Sequence, residues 1–100
     1  MNKILLITTK GCEACKIQEN IINSAIKSSI NKYHIDFKIS VFPENNTLKY
    51  IQELNNKEII INDFPTTMFL VNDNHKISIS GTCTKEKLIH LFDEFFIENE

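Results

Sequence analysis

The chain has 100 residues, of which 42% are hydrophobic and 24% are charged, and its formal net charge is −2. This balance is typical of an ordinary globular protein, so we expect one domain over residues 1–100. The slightly negative net charge gives no electrostatic reason to expect a nucleic-acid partner. The apolar runs are too short to predict a membrane partner.

The N-terminal third predicts a strand followed by a helix. Residues 3–8 include an apolar run typical of a buried strand, and a long amphipathic helix is expected from Glu13 onward. The apolar residues that recur at helical spacing are Ala14, Ile17, Ile21, Ile22, Ala25, Ile26 and Ile30. Because many of them are β-branched, tertiary packing must hold this helix.

Alternating residues in the middle of the chain predict a second strand over 34–42. Pro43 is expected to end this strand, since proline breaks regular structure. The polar residues 45–47 then provide a cap for a short helix over 48–54.

The C-terminal part predicts a hairpin and a last helix. A third strand over 66–71, a turn at Asp73 and Asn74, and a fourth strand over 76–80 form the hairpin. Thr84 is expected to cap the last helix. The residues predicted to be buried on that helix are Leu88, Ile89, Phe92, Phe95 and Phe96.

The predicted order of elements, β-α-β-α-β-β-α, determines the expected fold class. The first two strands are joined through a helix, so they are expected to be parallel neighbours. The hairpin adds an antiparallel edge. We therefore predict an α/β fold with a four-stranded mixed sheet and helices on both faces.

Two cysteines three residues apart, Cys12 and Cys15, stand where the first strand gives way to the helix. At this spacing their sulfurs face each other, and the positive helix end stabilises a thiolate on Cys12. Glu13 opposes this effect by repulsion, so a modest lowering of the Cys12 pKa and a reducing couple are expected. The pattern predicts dithiol–disulfide chemistry, with Cys12 as nucleophile and Cys15 as resolving thiol.

The chain resembles the thioredoxin superfamily over nearly its whole length. The motifs that carry the resemblance are Cys-Glu-Ala-Cys-Lys at 12–16, Phe-Pro-Thr at 64–66 and, more weakly, Gly81 before Thr-Lys-Glu at 84–86. The resemblance implies the minimal thioredoxin core and a cis peptide bond before Pro65. It also implies a substrate groove, and the residues that would form it are Glu13, Ala14, Phe64, Pro65 and the turn that contains Gly81.

The chain departs from the usual members of this superfamily at three places. Gly11 stands where thioredoxins usually carry Trp, Glu13-Ala14 replaces Gly-Pro, and Leu6 replaces a buried Asp that is thought to help deprotonate the second cysteine. The glutaredoxin Cys-Pro-Tyr-Cys motif and Gly-Gly pair are also missing from the sequence. A glutathione-linked mechanism is therefore not expected.

The third cysteine, Cys83, leaves several alternatives open. A zinc site would need Cys83 or one of His34, His75 and His90 beside the pair, but none has a partner at ligand spacing. An iron–sulfur cluster bridged between two chains is a further alternative. Cys83 itself is expected to be a regulatory thiol, to form an intermolecular disulfide, or to be a small, partly buried residue before the last helix.

An odd number of cysteines argues against a structural disulfide framework and favours the cytoplasm. The sequence thus predicts a thioredoxin-like protein-disulfide reductase that needs no organic cofactor and no metal. Its expected partners are disulfide-containing proteins and a flavoprotein of the thioredoxin-reductase type that resets the pair. The alternative is a redox-sensing or protein-binding module without turnover.

Overall fold

Four strands and two helices make up the part of the chain that the computed structural model describes, residues 1–42, Lys49 and 63–99. In chain order they are β1 Asn2–Thr9, α1 Glu13–Ser28, β2 Ile35–Phe42, β3 Thr66–Val71, β4 Asn74–Ser80 and α2 Lys85–Phe95. The short helix predicted over 48–54 lies outside the described residues apart from Lys49. Neither α1 nor α2 is long and apolar enough to cross a membrane.

The strands form one sheet in the order β2-β1-β3-β4. The β1 and β2 strands are parallel, whereas β3 is antiparallel to both β1 and β4. This arrangement confirms the predicted mixed sheet, in which a helical crossover joins the parallel pair and a hairpin forms the other edge. It also brings the end of β1, the start of β3 and the end of β4 to the same end of the sheet, because Ile7 pairs with Thr66 and Thr66 pairs with Ser80.

The β3–β4 hairpin turns one residue earlier than the sequence pattern predicted. Asn72 and Asp73 have φ angles of 52° and 66°, so they are the two central residues of the turn, and Asn74 already belongs to β4. Positive φ at both central positions suits the right-handed twist of the strands, and Asn and Asp tolerate it. The register shifts between Phe69 and Leu70, which makes room for one extra residue in β4.

One face of the sheet carries the larger core, and both described helices pack on it. The buried residues of this core are Ile4, Leu6, Ile22, Ala25, Tyr33, Phe69, Val71, Leu88, Leu91, Phe92 and Phe96. On α2 the prediction is confirmed in outline, since Leu88 and Phe92 are buried, although Leu91 joins them and Ile89 is only partly buried. Thr84 caps α2, because its Oγ accepts the amide of Lys87 at 3.1 Å.

The buried face of α1 differs from the predicted one. It consists of Cys15, Gln18, Ile22 and Ala25, a spacing of three and four residues. Two isoleucines of the predicted apolar set are not buried, since Ile17 is 54% exposed and Ile30 is 65% exposed. Ile17 is rotated by about 100° from Gln18 around the helix axis and so lies outside the buried face, and Ile30 follows the helix end in a turn.

The opposite face of the sheet is buried as well. Leu5, Ile7, Met68 and Leu70 form a second cluster, and Phe64 packs against it. Helices were expected on both faces of the sheet. The third predicted helix, over 48–54, lies outside the described residues apart from Lys49. The side chain of Phe64 belongs to this second core, and its ring stacks on that of Phe42 with 5.6 Å between the ring centroids.

A polar cluster joins the turn after α1 to α2. The Asp93 carboxylate accepts hydrogen bonds from the Tyr33 hydroxyl at 2.7 Å and from the Lys32 ammonium at 2.9 Å. These two hydrogen bonds, that of Tyr33 first, lower the pKa of Asp93. A carboxyl whose pKa is lower in the folded than in the unfolded chain stabilises the fold above the unfolded pKa, and this is lost as the pH falls through the folded pKa.

We therefore expect Asp93→Asn to lower the free energy of unfolding at neutral pH, with a difference that fades as the pH falls below about 4. Urea denaturation of both chains over a series of pH values measures this. Glu94→Gln is the matched control, since Glu94 is an exposed neighbour, and it is expected to change the free energy of unfolding at neutral pH by about 0.5 kcal/mol or less. A difference for Asp93→Asn that is the same at every pH would contradict the assignment.

Candidate active site

The two cysteines of the predicted site form a disulfide at the N-terminus of α1. Cys12 is the N-cap residue and Cys15 lies in the first turn, with their Cα atoms 5.3 Å apart. The Cys12 sulfur accepts the backbone N–H of Cys15 at 3.1 Å. Cys12 is half-buried, whereas Cys15 is 4% exposed, so Cys12 is the sulfur that an external disulfide can approach.

Gly11 connects β1 to this cap. Its φ of +75° lies in the left-handed region, where a residue with a Cβ is strained. The position that thioredoxins usually fill with Trp therefore has a conformation here that favours glycine. The sharp turn directs the chain from the end of β1 into α1, and this places Cys12 where the free N–H groups of the first helical turn converge.

The Phe64–Pro65 peptide bond is cis, as the resemblance implied. Pro65 is buried and directly precedes β3, so it lies at the same end of the sheet as the end of β1. Its carbonyl accepts the N–H of Gly81 at 2.8 Å, and Gly81 has a φ of +78°. Two of the predicted groove residues, Pro65 and Gly81, are thus in direct contact.

The remaining predicted groove residues are distributed around this end. Glu13 is exposed and Ala14 is half-buried on the first turn of α1. The side chain of Phe64 packs against the second core. Phe64 makes no backbone hydrogen bond to another residue within the described ranges 1–42 and 63–99.

Gln18 is a buried polar residue that the sequence analysis did not single out. Its side chain is 0% exposed and lies one turn after Cys15 on α1. The amide oxygen accepts the backbone N–H of Cys83 at 3.1 Å, and the amide nitrogen donates to the Thr67 hydroxyl at 3.0 Å and to the Cys83 sulfur at 3.4 Å. One side chain thus ties the cysteine helix to β3 and to the segment before α2.

Cys83 is therefore held by Gln18 and packs at the margin of the larger core. It is half-buried and forms no disulfide. This environment matches the expectation of a small, partly buried residue before the last helix. The sequence signal for Gln18 would have been a polar residue within an otherwise apolar helical face. A buried amide at such a position needs hydrogen-bond partners.

We expect Gln18→Leu to lower the free energy of unfolding by about 1–3 kcal/mol, since the buried Thr67 hydroxyl and the Cys83 amide lose their partner. Chemical denaturation of the oxidised protein measures the change. Asn23→Leu on the exposed face of α1 is the control, with an expected change within about 0.5 kcal/mol. Equal effects of the two substitutions would contradict a role for the hydrogen bonds of Gln18.

A cleft with an empty volume of about 430 Å³ lies between α1 and the ends of β1 and β2. We call it the α1–β2 cleft. Leu6 and Ile39, which pair in the sheet, form its apolar side, and Cys15, Lys16 and Glu19 line it from α1. Ile39 is 44% exposed here although its strand neighbours Ile35 and Phe37 pack on the core, so the cleft exposes the apolar face of β2.

The histidines do not join the cysteine pair. His34 and His90 are exposed, and His75 is half-buried with its ring 2.6 Å from the Ser78 hydroxyl. Burial lowers the pKa of His75. No three metal-ligating side chains lie together within the described part of the chain.

The sequence matches no family model and no curated protein. The fold, by contrast, is similar to that of solved thioredoxins. Thioredoxin-2 of the malaria parasite is 18% identical, with a TM-score of 0.75 over 95% of this chain and 84% of that one. Thioredoxin O2 of Arabidopsis thaliana in its oxidised state is 15% identical, with a TM-score of 0.72 over 97% and 76%. Thioredoxin from Aeropyrum pernix is 16% identical, with a TM-score of 0.69 over 93% and 73%.

Proposed function

We propose that this chain, which has the thioredoxin fold and a Cys12–Cys15 disulfide, is a thiol–disulfide oxidoreductase that reduces protein disulfides. The observation that carries the proposal is the environment of the Cys12 sulfur. It is accessible, it caps α1, and it accepts the N–H of Cys15 at 3.1 Å. In the reduced protein the same amide and helix end favour a thiolate, which is the reactive form.

The reaction proceeds in two exchanges. The Cys12 thiolate attacks one sulfur of the substrate disulfide, so that a mixed disulfide forms and one substrate thiolate leaves. Cys15 then attacks the Cys12 sulfur as a thiolate, which forms the Cys12–Cys15 disulfide and releases the second substrate thiolate. The substrate gains two electrons, and the pair loses two. The close approach of the two cysteines at the start of α1 supports the second exchange.

The substrate is proposed to lie across Glu13, Ala14, Phe64, Pro65 and Gly81. An extended segment beside the cysteine pair could hydrogen-bond to the backbone of Phe64, as strand addition does elsewhere. Phe64 is suited to this because its side chain is anchored in the second core by Phe42 and the cluster around Met68. The anchored ring holds the backbone in place while leaving it at the sheet end that carries Cys12.

A second protein must reset the oxidised pair, and we propose a flavoprotein of the thioredoxin-reductase type in the cytoplasm. Electrons pass from this reductase to the Cys12–Cys15 disulfide and from the dithiol to the substrate. The chain itself needs no organic cofactor or metal for these exchanges, since the sulfurs carry both electrons.

A redox titration tests the proposal. The Cys83→Ser protein is equilibrated with dithiothreitol buffers of stepped ratio, its free thiols are alkylated, and its mass is measured. We expect one reversible two-electron transition at a reducing potential, with both Cys12 and Cys15 protected from alkylation on the oxidised side. The absence of a Cys12–Cys15 disulfide at every ratio would overturn the proposal and favour a binding module without turnover.

A further inference from the structure

In the proposed reaction Cys15 must become a thiolate before it can attack the mixed disulfide on Cys12. Cys15 is 4% exposed, so bulk water reaches its sulfur poorly. An apolar environment also favours the neutral thiol over the thiolate. The second exchange therefore needs a base within reach of Cys15.

The α1–β2 cleft is the space beside Cys15 in which such a base can lie. The strands contribute no charge to it, because its residues from β1 and β2 are Leu6, Ile39 and two threonines. Both threonine hydroxyls donate to backbone carbonyls of β2. The charged residues that line the cleft are Lys16 and Glu19, and both belong to α1.

Of these two, Glu19 can accept a proton and Lys16, as a cation, cannot. Glu19 follows Cys15 by four residues, so both side chains lie on the same side of α1 with their Cβ atoms about 5–6 Å apart. Glu19 is half-buried and forms no salt bridge with any residue in the described ranges. Its carboxylate is therefore available at the cleft that reaches Cys15.

We propose that Glu19 is the proton acceptor for Cys15, either directly or through one water molecule in the α1–β2 cleft. This assignment rests on the proposed oxidoreductase function and names the base for its second exchange. The S–H bond of Cys15 breaks as its proton passes to the Glu19 carboxylate. The sulfur keeps the electron pair and bonds to the Cys12 sulfur, the bond from Cys12 to the substrate breaks, and the substrate leaves as a thiolate. Glu19 later returns the proton to water.

Single-turnover kinetics test this assignment. Reduced protein in a Cys83→Ser background is mixed with a symmetric aromatic disulfide whose free thiol is coloured, and the colour is followed by stopped flow. The first release reports the attack by Cys12, and the second reports the attack by Cys15. We expect Glu19→Gln to leave the first release unchanged within about twofold and to slow the second by about tenfold or more at neutral pH.

The pH profile separates a base from a structural role. The second release of the unsubstituted protein is expected to vary little with pH near neutrality, because the proton passes to an acceptor within the protein and not to hydroxide. In Glu19→Gln it is expected to rise by about tenfold per pH unit, since hydroxide must then generate the thiolate. Glu19→Asp is expected to restore part of the rate together with the flat profile.

Glu86→Gln is the matched control, because Glu86 is an exposed carboxylate on α2, away from the cleft. Both of its releases are expected to remain within about twofold of the unsubstituted values. A second release in Glu19→Gln that keeps its rate and its flat profile would overturn the assignment alone. The absence of any second release in the unsubstituted protein would instead overturn the proposed function, and the assignment with it.

Discussion

Cys12→Ser is expected to lower the rate of disulfide reduction by about a thousandfold or more, as is typical when a covalent nucleophile is removed. The serine hydroxyl remains protonated at neutral pH, so the helix end and the Cys15 amide have no thiolate to stabilise. Turnover of a disulfide-bonded protein with dithiothreitol as the final reductant measures the loss. The uncatalysed reaction with dithiothreitol alone is the baseline.

Cys15→Ser provides the matched comparison, because it leaves the Cys12 nucleophile in place. We expect this protein to form a mixed disulfide with its substrate that persists until a reductant is added, visible as an increase in mass. Cys12→Ser forms no such adduct. Equal adduct formation by both variants, or turnover that survives Cys12→Ser, would contradict the assigned roles.

Phe92→Ala is expected to lower the free energy of unfolding by about 3–5 kcal/mol, the range for removing a large buried aromatic side chain. Phe92 is 0% exposed, and its ring centroid lies 5.3 Å from that of Phe96 and 5.7 Å from that of Phe69. The substitution removes the α2 ring that packs on Phe69 of β3. Denaturation in guanidinium chloride measures the change, and such a loss is a large share of the stability of a small domain.

Ile97→Ala controls for the loss of apolar atoms near the same end of α2. Ile97 is 52% exposed, so its truncation is expected to change the free energy of unfolding by about 0.5 kcal/mol or less. A loss below about 1 kcal/mol for Phe92→Ala would show that the aromatic cluster does not carry the packing energy assigned to it.

The environment of Cys15 shows how the departures from the thioredoxin pattern combine. Thioredoxins, which this chain resembles, carry a buried Asp at the position of Leu6 on β1. In this chain the side chain at that position is apolar. Leu6 pairs with Ile39 on one side of the α1–β2 cleft. The carboxylate that lines this cleft belongs to α1, at Glu19, so the proposed base approaches Cys15 from the helix and not from the sheet.

The strands and the cysteine pair could be predicted because short-range patterns determine them. An apolar run marks β1, alternation marks β2, and the Cys-x-x-Cys spacing places both sulfurs on one helical turn. The same patterns did not predict which face of α1 is buried, because two different sets of residues at helical spacing could form that face. The isoleucines of α1 suggested a core position for Ile17, which is 54% exposed, while the polar Gln18 is 0% exposed.

The choice between Ile17 and Gln18 depends on contacts from distant parts of the chain. Gln18 can be buried because Thr67 and the backbone of Cys83 satisfy its amide, and these lie 49 and 65 residues away in sequence. An unpaired buried amide would cost about 1–3 kcal/mol, so no local pattern predicts it to be inside. The hairpin turn at Asn72 and Asp73 was likewise displaced by one residue, because register in the sheet decides which residues turn.

The sequence by itself determined the order of the four strands and of α1 and α2, the pairing of Cys12 with Cys15, and the special backbone positions at Gly11, Pro65 and Gly81, because these follow from residue type and local spacing. Only the tertiary structure decided which face of α1 is buried, that Gln18 holds Cys83, that the ring of Phe64 packs into a core, and that Glu19 shares a cleft with Cys15. The physical reason is that each of these depends on where β1, β2 and β3 lie against α1, and long-range pairing of segments sets that placement.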